Sequence, residues 1–153
     1  MKRVEFELNG ETVVDTVADN LLLVDYLRRF AGLTGTKHAC DIGVCGVCTV
    51  LVDELPASAC LTLTASLQGR CVTTIEGIGS DGLSQLQKSF IEHGAFQCGI
   101  CTPGQIVCAT ALLKHNRCPS ELEIKEWMKG NLCRCTGYYK ILAAIMSACG
   151  GDR

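Results

Sequence analysis

The chain has 153 residues, of which 48% are hydrophobic and 20% are charged, and its formal net charge is −2. This composition is typical of a globular protein and excludes a disordered one. No apolar run approaches the roughly 18 residues that a membrane span needs, and no basic patch indicates nucleic-acid binding. A chain of this length buries roughly 70% of its unfolded surface, which suffices for one domain or two small lobes.

The N-terminal half is predicted to be rich in β-strand. Val4, Phe6 and Leu8 alternate with charged residues, and the dipeptide 9–10, Asn-Gly, favours a type I′ turn before a return strand at 12–17. The sequence therefore predicts a β-hairpin. The next predicted elements are a helix at 21–30, a glycine-rich cysteine loop, and strands at 49–52 and 71–75. This order predicts a β-grasp, ferredoxin-like lobe.

The C-terminal half is predicted to be helical. Residues 77–82 hold three glycines and predict a connector, and beyond them the apolar period fits four short helices packed as a bundle. Ser120 with Glu123, and Thr102 with Gln105, predict capping boxes for two of these helices. We therefore predict an α+β protein. Its domains are a ferredoxin-like lobe at 1–76, the connector at 77–82 and a helical bundle lobe at 83–153.

Two sets of four cysteines dominate the sequence. The first set has the spacing C-x4-C-x2-C-x11-C, and its beginning matches that of plant-type [2Fe–2S] ferredoxins. The second set has the spacing C-x2-C-x31-C-x-C. Because a [2Fe–2S] cluster takes four thiolates from the protein, the sequence predicts two clusters and an electron-transfer protein. The predicted ligands are Cys40, Cys45, Cys48 and Cys60 in the first quartet, and Cys98, Cys101, Cys133 and Cys135 in the second.

The residues around the cysteines predict how each site is built. Gly43 and Gly46 are expected to give the first loop the positive φ and close approach that it needs around a small inorganic core. In the second quartet, two cysteines directly precede Thr102, and two precede the dipeptide 136–137, which we predict to start the last helix. The N-termini of both helices are expected to favour the negative cluster and to lower thiol pKa values.

Two alternative uses of the cysteines are weaker. Zinc modules separate their cysteine pairs by about 15–20 residues, whereas Cys48 and Cys98 are separated by 49 residues. A disulfide framework needs a secreted protein, and the N-terminus lacks the apolar region of a signal peptide, so we predict a cytoplasmic protein. The chain has no nucleotide-binding or hydrolase motif and no paired acid and base, so no catalytic residue is predicted in it.

The flanks of the cysteines resemble a known family. They are LTGTK at 33–37, CGVCTV at 45–50, QCGICTPG at 97–104 and GNLCRCTGY at 130–138. These segments are similar to the small iron–sulfur subunit of the molybdenum hydroxylases, the xanthine dehydrogenase and aldehyde oxidase family. The resemblance covers residues 4–148, nearly the whole chain.

The resemblance implies partners and a direction of electron flow. In such enzymes a large subunit with a molybdopterin cofactor oxidises the substrate, and electrons pass to the helical-lobe cluster, then to the β-grasp cluster, and then to FAD on a medium subunit. It further implies that Gln97 and Cys135 approach the pterin. The substrate is expected to be an aromatic heterocycle or an aldehyde, and the assembly a hetero-oligomer such as a dimer of heterotrimers.

Two other functions fit the same cysteines. A reductive member of the family would pass electrons towards molybdenum to dehydroxylate an aromatic thioester. A stand-alone ferredoxin-like carrier or redox sensor would bind its partners only transiently, although such a protein needs only the β-grasp lobe.

Overall fold

The computed structural model describes residues 1–80 and 82–149, and it has the predicted α+β fold. The strands are β1 (Lys2–Leu8), β2 (Glu11–Val17), β3 (Thr49–Val52), β4 (Leu55–Ser58) and β5 (Cys71–Thr73). The helices are α1 (Leu23–Asp25), α2 (Gln85–Glu92), α3 (Thr102–His115), α4 (Glu121–Met128) and α5 (Tyr139–Ala148). Short 3-10 turns lie at Thr64–Ser66 and Ile75–Gly77. No helix within the described ranges has the length and apolar character that crossing a lipid bilayer requires.

The five strands form one mixed sheet in the order β2-β1-β5-β3-β4. The predicted hairpin is confirmed: β1 pairs antiparallel with β2 from Lys2 opposite Val17 to Leu8 opposite Glu11. Its turn has positive φ at Asn9 and Gly10, as a type I′ turn requires. The central strand β5 runs parallel to β1 and antiparallel to β3.

The predicted helix at 21–30 differs in detail from the observed one. A single α-helical turn, α1, is continued by a π-helical turn at Tyr26–Phe30, where Ala31 N–H donates to Tyr26 O at 3.0 Å. The wider turn leaves the ring of Tyr26 edge-on to Phe6, with centroids 5.8 Å apart, and stacked on Phe30. Tyr26 and Leu27 are buried, whereas Phe30, the last apolar residue of the predicted helix, is exposed.

The four C-terminal helices are present, and Ser120 with Glu123 forms the predicted capping box. The other predicted box is wrong: the N-cap of α3 is Cys101, and the Thr102 hydroxyl is buried without a hydrogen-bond partner. The predicted start of α5 at residues 136–137 is also wrong. Gly137 and Tyr138 both have positive φ, so the chain makes a turn there and the helix begins at Tyr139.

Two hydrophobic cores meet at β3. Val50 packs into a core made by the sheet and α1, whereas its neighbour Leu51 packs into the core of the four C-terminal helices. Helix α3 lies on β3, which holds the two halves of the chain together. The proposed division into 1–76 and 83–153 stays a prediction. Residue 81 of the predicted connector and residues 150–153 of the predicted second domain lie outside the described residues.

Candidate metal centres

The first cysteine loop directs backbone N–H groups at sulfur. Asp41, Gly43 and Gly46 all have positive φ, which curls the loop back on itself. The backbone N–H groups of Ile42, Cys45 and Val44 consequently surround the sulfur of Cys40, and they lower the pKa of that thiol to about 6. This loop therefore stabilises a thiolate, which is the form that binds iron.

The other two cysteines of the first quartet lie deeper. Cys48 and Cys60 are buried and hydrogen bond to each other, and burial raises the pKa of Cys48 to about 12. Gly43 allows the loop to pack closely against Leu61, next to Cys60. A Cβ at Gly43 would lie 2.3 Å from a methyl carbon of Leu61, so a larger residue would not fit. The first quartet thus has a half-buried pair, Cys40 and Cys45, and a buried pair, Cys48 and Cys60.

The second quartet is also arranged in pairs. Cys98 and Cys135 are exposed, with their sulfur atoms 3.5 Å apart. Cys101 and Cys133 hydrogen bond to each other further inside, and burial raises the pKa of Cys101 to about 12. The expectation that the start of α3 lowers this pKa is therefore wrong, because desolvation of the thiolate outweighs the effect of the helix terminus.

Cys133 differs from its neighbour because donors reach its sulfur. Burial opposes ionisation, but the Thr136 hydroxyl at 3.1 Å and the Thr136 backbone N–H at 3.4 Å together lower the pKa of Cys133. The turn before α5 is the source of both donors. Its Tyr138 hydroxyl also accepts the backbone N–H of Cys133 at 3.0 Å.

The paired arrangement fits two dinuclear clusters. Among residues 1–80 and 82–149, no three Cys, His, Asp or Glu side chains are placed to bind a single metal ion together. A [2Fe–2S] cluster takes two thiolates on each of its two irons. The pairs Cys40 with Cys45 and Cys48 with Cys60 would serve one cluster, and Cys98 with Cys135 and Cys101 with Cys133 the other.

The two cysteine loops touch each other directly. The backbone N–H of Leu132, which precedes Cys133, donates to the carbonyl of Cys45 at 2.8 Å. The buried side chain of Asn131 donates to the carbonyl of Gly46 at 3.0 Å. Members of both quartets are therefore separated by one hydrogen bond and a few covalent bonds.

The predicted pterin contacts lie together at the exposed edge of the second quartet. Gln97 Nε2 donates to the carbonyl of Cys135 at 3.0 Å, so the two residues form one surface feature. Exposed apolar side chains flank both quartets: Ile42, Val44 and Leu61 beside the first, and Phe96, Ile100 and Leu132 beside the second. Each quartet thus opens on its own partly apolar surface.

Sequence reasoning missed the residues that join the loops. Asn131, Gly104 and Gln105 lie in or beside the quoted flanks, but the only role predicted among them was that of Gln105 in the capping box with Thr102. Gln105 is buried, and its Nε2 donates to the carbonyl of Asn131 at 2.6 Å. The only available signal was position: all three lie within four residues of a predicted ligand.

Two family models match the chain, one in each half. A model described as a 2Fe-2S iron-sulfur cluster binding domain matches residues 6–67. A model described as a [2Fe-2S] binding domain matches residues 74–146. The matches include the first and second cysteine quartets, respectively, and they confirm the prediction of two [2Fe–2S] clusters.

Proteins similar to this chain over nearly its whole length are subunits of oxidoreductases. The nicotine 6-hydroxylase small subunit of Paenarthrobacter nicotinovorans is 44% identical over 147 residues, which are 96% of this chain and 89% of that one. A probable xanthine dehydrogenase subunit of Bacillus subtilis (strain 168) is 42% identical over 151 residues, 97% and 86% of the two chains. A chain of quinoline 2-oxidoreductase from Pseudomonas putida 86 superposes with a TM-score of 0.91 at 45% identity, covering 95% of this chain and 90% of that one. These relatives confirm the predicted electron-transfer role. The chain belongs to the [2Fe–2S] iron–sulfur subunits of the molybdenum hydroxylases, the xanthine dehydrogenase and aldehyde oxidase family.

Proposed function

We propose that this chain conducts electrons from a molybdopterin-binding large subunit to an FAD-binding medium subunit during hydroxylation of an aromatic heterocycle or an aldehyde. The eight cysteines of the two quartets are the proposed ligands. When bound, each [2Fe–2S] cluster supplies a one-electron redox site. The nicotine and quinoline enzymes among the similar proteins favour a nitrogen heterocycle as the substrate.

The observation that carries the proposal is the hydrogen bond from Leu132 N–H to the carbonyl of Cys45. Cys45 belongs to the first quartet, and Leu132 is bonded to Cys133 of the second. A short path of covalent bonds and one hydrogen bond of 2.8 Å therefore connects the two sites. Independent carriers with separate partners would not need this contact.

The surfaces at the two ends support the direction of transfer. We assign the end with Gln97 and Cys135 to the molybdopterin subunit, because an exposed amide and a backbone carbonyl can hydrogen bond to the polar edge of a pterin. We assign the end with Ile42 and Val44 to the flavin subunit, because exposed apolar residues beside a redox site are typical of a protein interface. None of the twelve cysteines is in a disulfide, which favours a cytoplasmic setting.

The experiment uses the complex of this chain with its molybdenum and flavin subunits. Anaerobic addition of a nitrogen heterocycle should bleach the visible absorbance of both clusters and then of the flavin. In Cys98→Ser, substrate should reduce neither the first cluster nor the flavin. In Cys60→Ser, substrate should still reduce the second cluster but not the flavin.

The opposite pattern contradicts the proposed direction. If Cys98→Ser still allowed substrate to reduce the first cluster, that cluster would receive electrons without the second. If the chain did not co-purify with a molybdenum-containing subunit, the proposal as a whole would fail.

A further inference from the structure

We infer that Asn131 is a positioning residue that fixes the separation of the two cluster sites. This inference rests on the proposed function, since it concerns how the two redox sites communicate. It concerns a residue that is no ligand and lies between the loops.

The Asn131 side chain joins three segments of the chain. It is only 5% exposed, and its Nδ2 lies 3.0 Å from the carbonyl of Gly46, 3.1 Å from the hydroxyl of Thr49 and 3.2 Å from the carbonyl of Gly104. Gly46 belongs to the first cysteine loop, Thr49 begins β3, and Gly104 lies in the first turn of α3. One amide group therefore connects the first cysteine loop, the sheet and the helix that follows Cys101.

The surrounding groups fix the orientation of this amide. The Thr49 hydroxyl donates its own hydrogen to Gly46 O at 2.7 Å, which leaves it as an acceptor for Asn131. The carbonyls of Gly46 and Gly104 can only accept. All three neighbours of Nδ2 are acceptors, so a side chain without N–H groups loses all three of these hydrogen bonds.

The backbone contact around Asn131 leaves no free space. A Cβ on Gly46 would lie 2.4 Å from the carbonyl oxygen of Gly130, and a Cβ on Gly104 would lie 2.3 Å from the carbonyl oxygen of Gly46. Glycine is therefore required on both sides of the contact. The two cysteine loops are therefore in close backbone contact, and the Asn131 hydrogen bonds hold them in one relative position.

Asn131 is next in sequence to the link between the quartets. Leu132 N–H donates to Cys45 O, and Gln105 Nε2 donates to Asn131 O on the other side. A shift of residue 131 moves Leu132 relative to Cys45, and it moves Cys133 with it. The hydrogen bonds of Asn131 thus act on the distance between the two sites through its neighbours.

The test measures magnetic coupling between the two clusters in the assembled complex. With both clusters reduced by dithionite, dipolar coupling splits their electron paramagnetic resonance signals and falls with the cube of their separation. Asn131→Ala should narrow this splitting while iron and sulfide contents stay unchanged. Ser89→Ala is the matched control, because it removes another buried hydrogen bond, from Ser89 Oγ to Ala144 O at 2.7 Å within the helical lobe. It should leave the splitting unchanged.

A second variant tests the same contact without altering Asn131. Gly104→Ala places a methyl group against Gly46 O and should also narrow the splitting. The inference is wrong if Asn131→Ala retains both clusters and the wild-type splitting, or if Ser89→Ala narrows the splitting equally. It is also wrong if Asn131→Ala loses a cluster that Ser89→Ala retains, because the residue would then hold a cluster rather than set a distance. None of these results depends on substrate reducing the complex, so the inference and the proposed function can fail separately.

Discussion

Replacing Gly46 by alanine should destabilise the protein through two separable effects. The residue has φ of +68°, a left-handed conformation that costs an alanine roughly 1–2 kcal/mol. The new Cβ would also lie 2.4 Å from Gly130 O, 2.7 Å from Asn131 Nδ2 and 2.9 Å from Asn131 Cα. Crowding of this kind typically costs about 1–3 kcal/mol. Gly46→Ala should therefore lower the free energy of unfolding by roughly 2–5 kcal/mol.

Gly69 offers a control that isolates the crowding. Its φ is +69°, nearly the same as that of Gly46, but a Cβ there would have no atom within 4 Å. Gly69→Ala should therefore cost only the backbone term, roughly 1–2 kcal/mol. The difference between the two variants measures the contact between the cysteine loops.

The assay is thermal unfolding of the cluster-loaded protein, followed by visible absorbance and circular dichroism at one scan rate. For a chain of this size each kcal/mol lowers the midpoint by about 2–4 °C. The midpoint of Gly46→Ala should thus lie about 2–12 °C below that of Gly69→Ala. Equal midpoints would refute the reasoning, because they would show that the loops can separate at no cost.

Three further results are expected. Cys101→Ser should lower the iron content from about four to about two per chain, whereas Cys71→Ser, which lies outside both quartets, should leave it unchanged. Thr136→Val removes the hydroxyl that donates to Cys133 sulfur at 3.1 Å, so it should lower the reduction potential of the second cluster by on the order of tens of millivolts. Thr102→Val is the control: it removes a hydroxyl without a hydrogen-bond partner and should leave this potential unchanged. In the cluster-free protein, the rate of alkylation of Cys40 should have its midpoint at pH about 6, because backbone N–H groups lower the pKa of this thiol. Cys71 should react only at higher pH, because burial and Glu7 raise its pKa. A midpoint for Cys40 near 8.5, the ordinary thiol value, would contradict the loop geometry.

The features predicted correctly from sequence depend on local patterns. The Asn-Gly turn fixes the first hairpin through the backbone preferences of two residues, and the hydroxyl of Ser120 caps α4 through a residue three positions away. The presence of two [2Fe–2S] clusters could be predicted because iron–sulfur sites impose fixed spacings on their cysteines. Such patterns require no knowledge of the rest of the chain.

The features that were missed depend on contacts between distant parts of the chain. Asn131 and Gly46 are 85 residues apart, so nothing near either residue shows that their loops meet. The error at Thr102 is one of position: Cys101 occupies the N-cap of α3, and the Thr102 hydroxyl is buried without a hydrogen-bond partner. The pKa of Cys101 likewise depends on the rest of the fold, because burial and then the neighbouring Cys133 raise it.

The position of β3 between the two cores has a consequence for cooperativity. Val50 and Leu51 are consecutive residues that contribute to opposite cores, so β3 cannot leave the sheet without opening both. The strand also follows Cys48 directly and begins at Thr49, whose hydroxyl accepts a hydrogen bond from the Asn131 side chain. Damage to either cluster site is therefore transmitted to the other half through four residues of backbone, and the chain should respond to oxidants as one unit rather than as two independent halves.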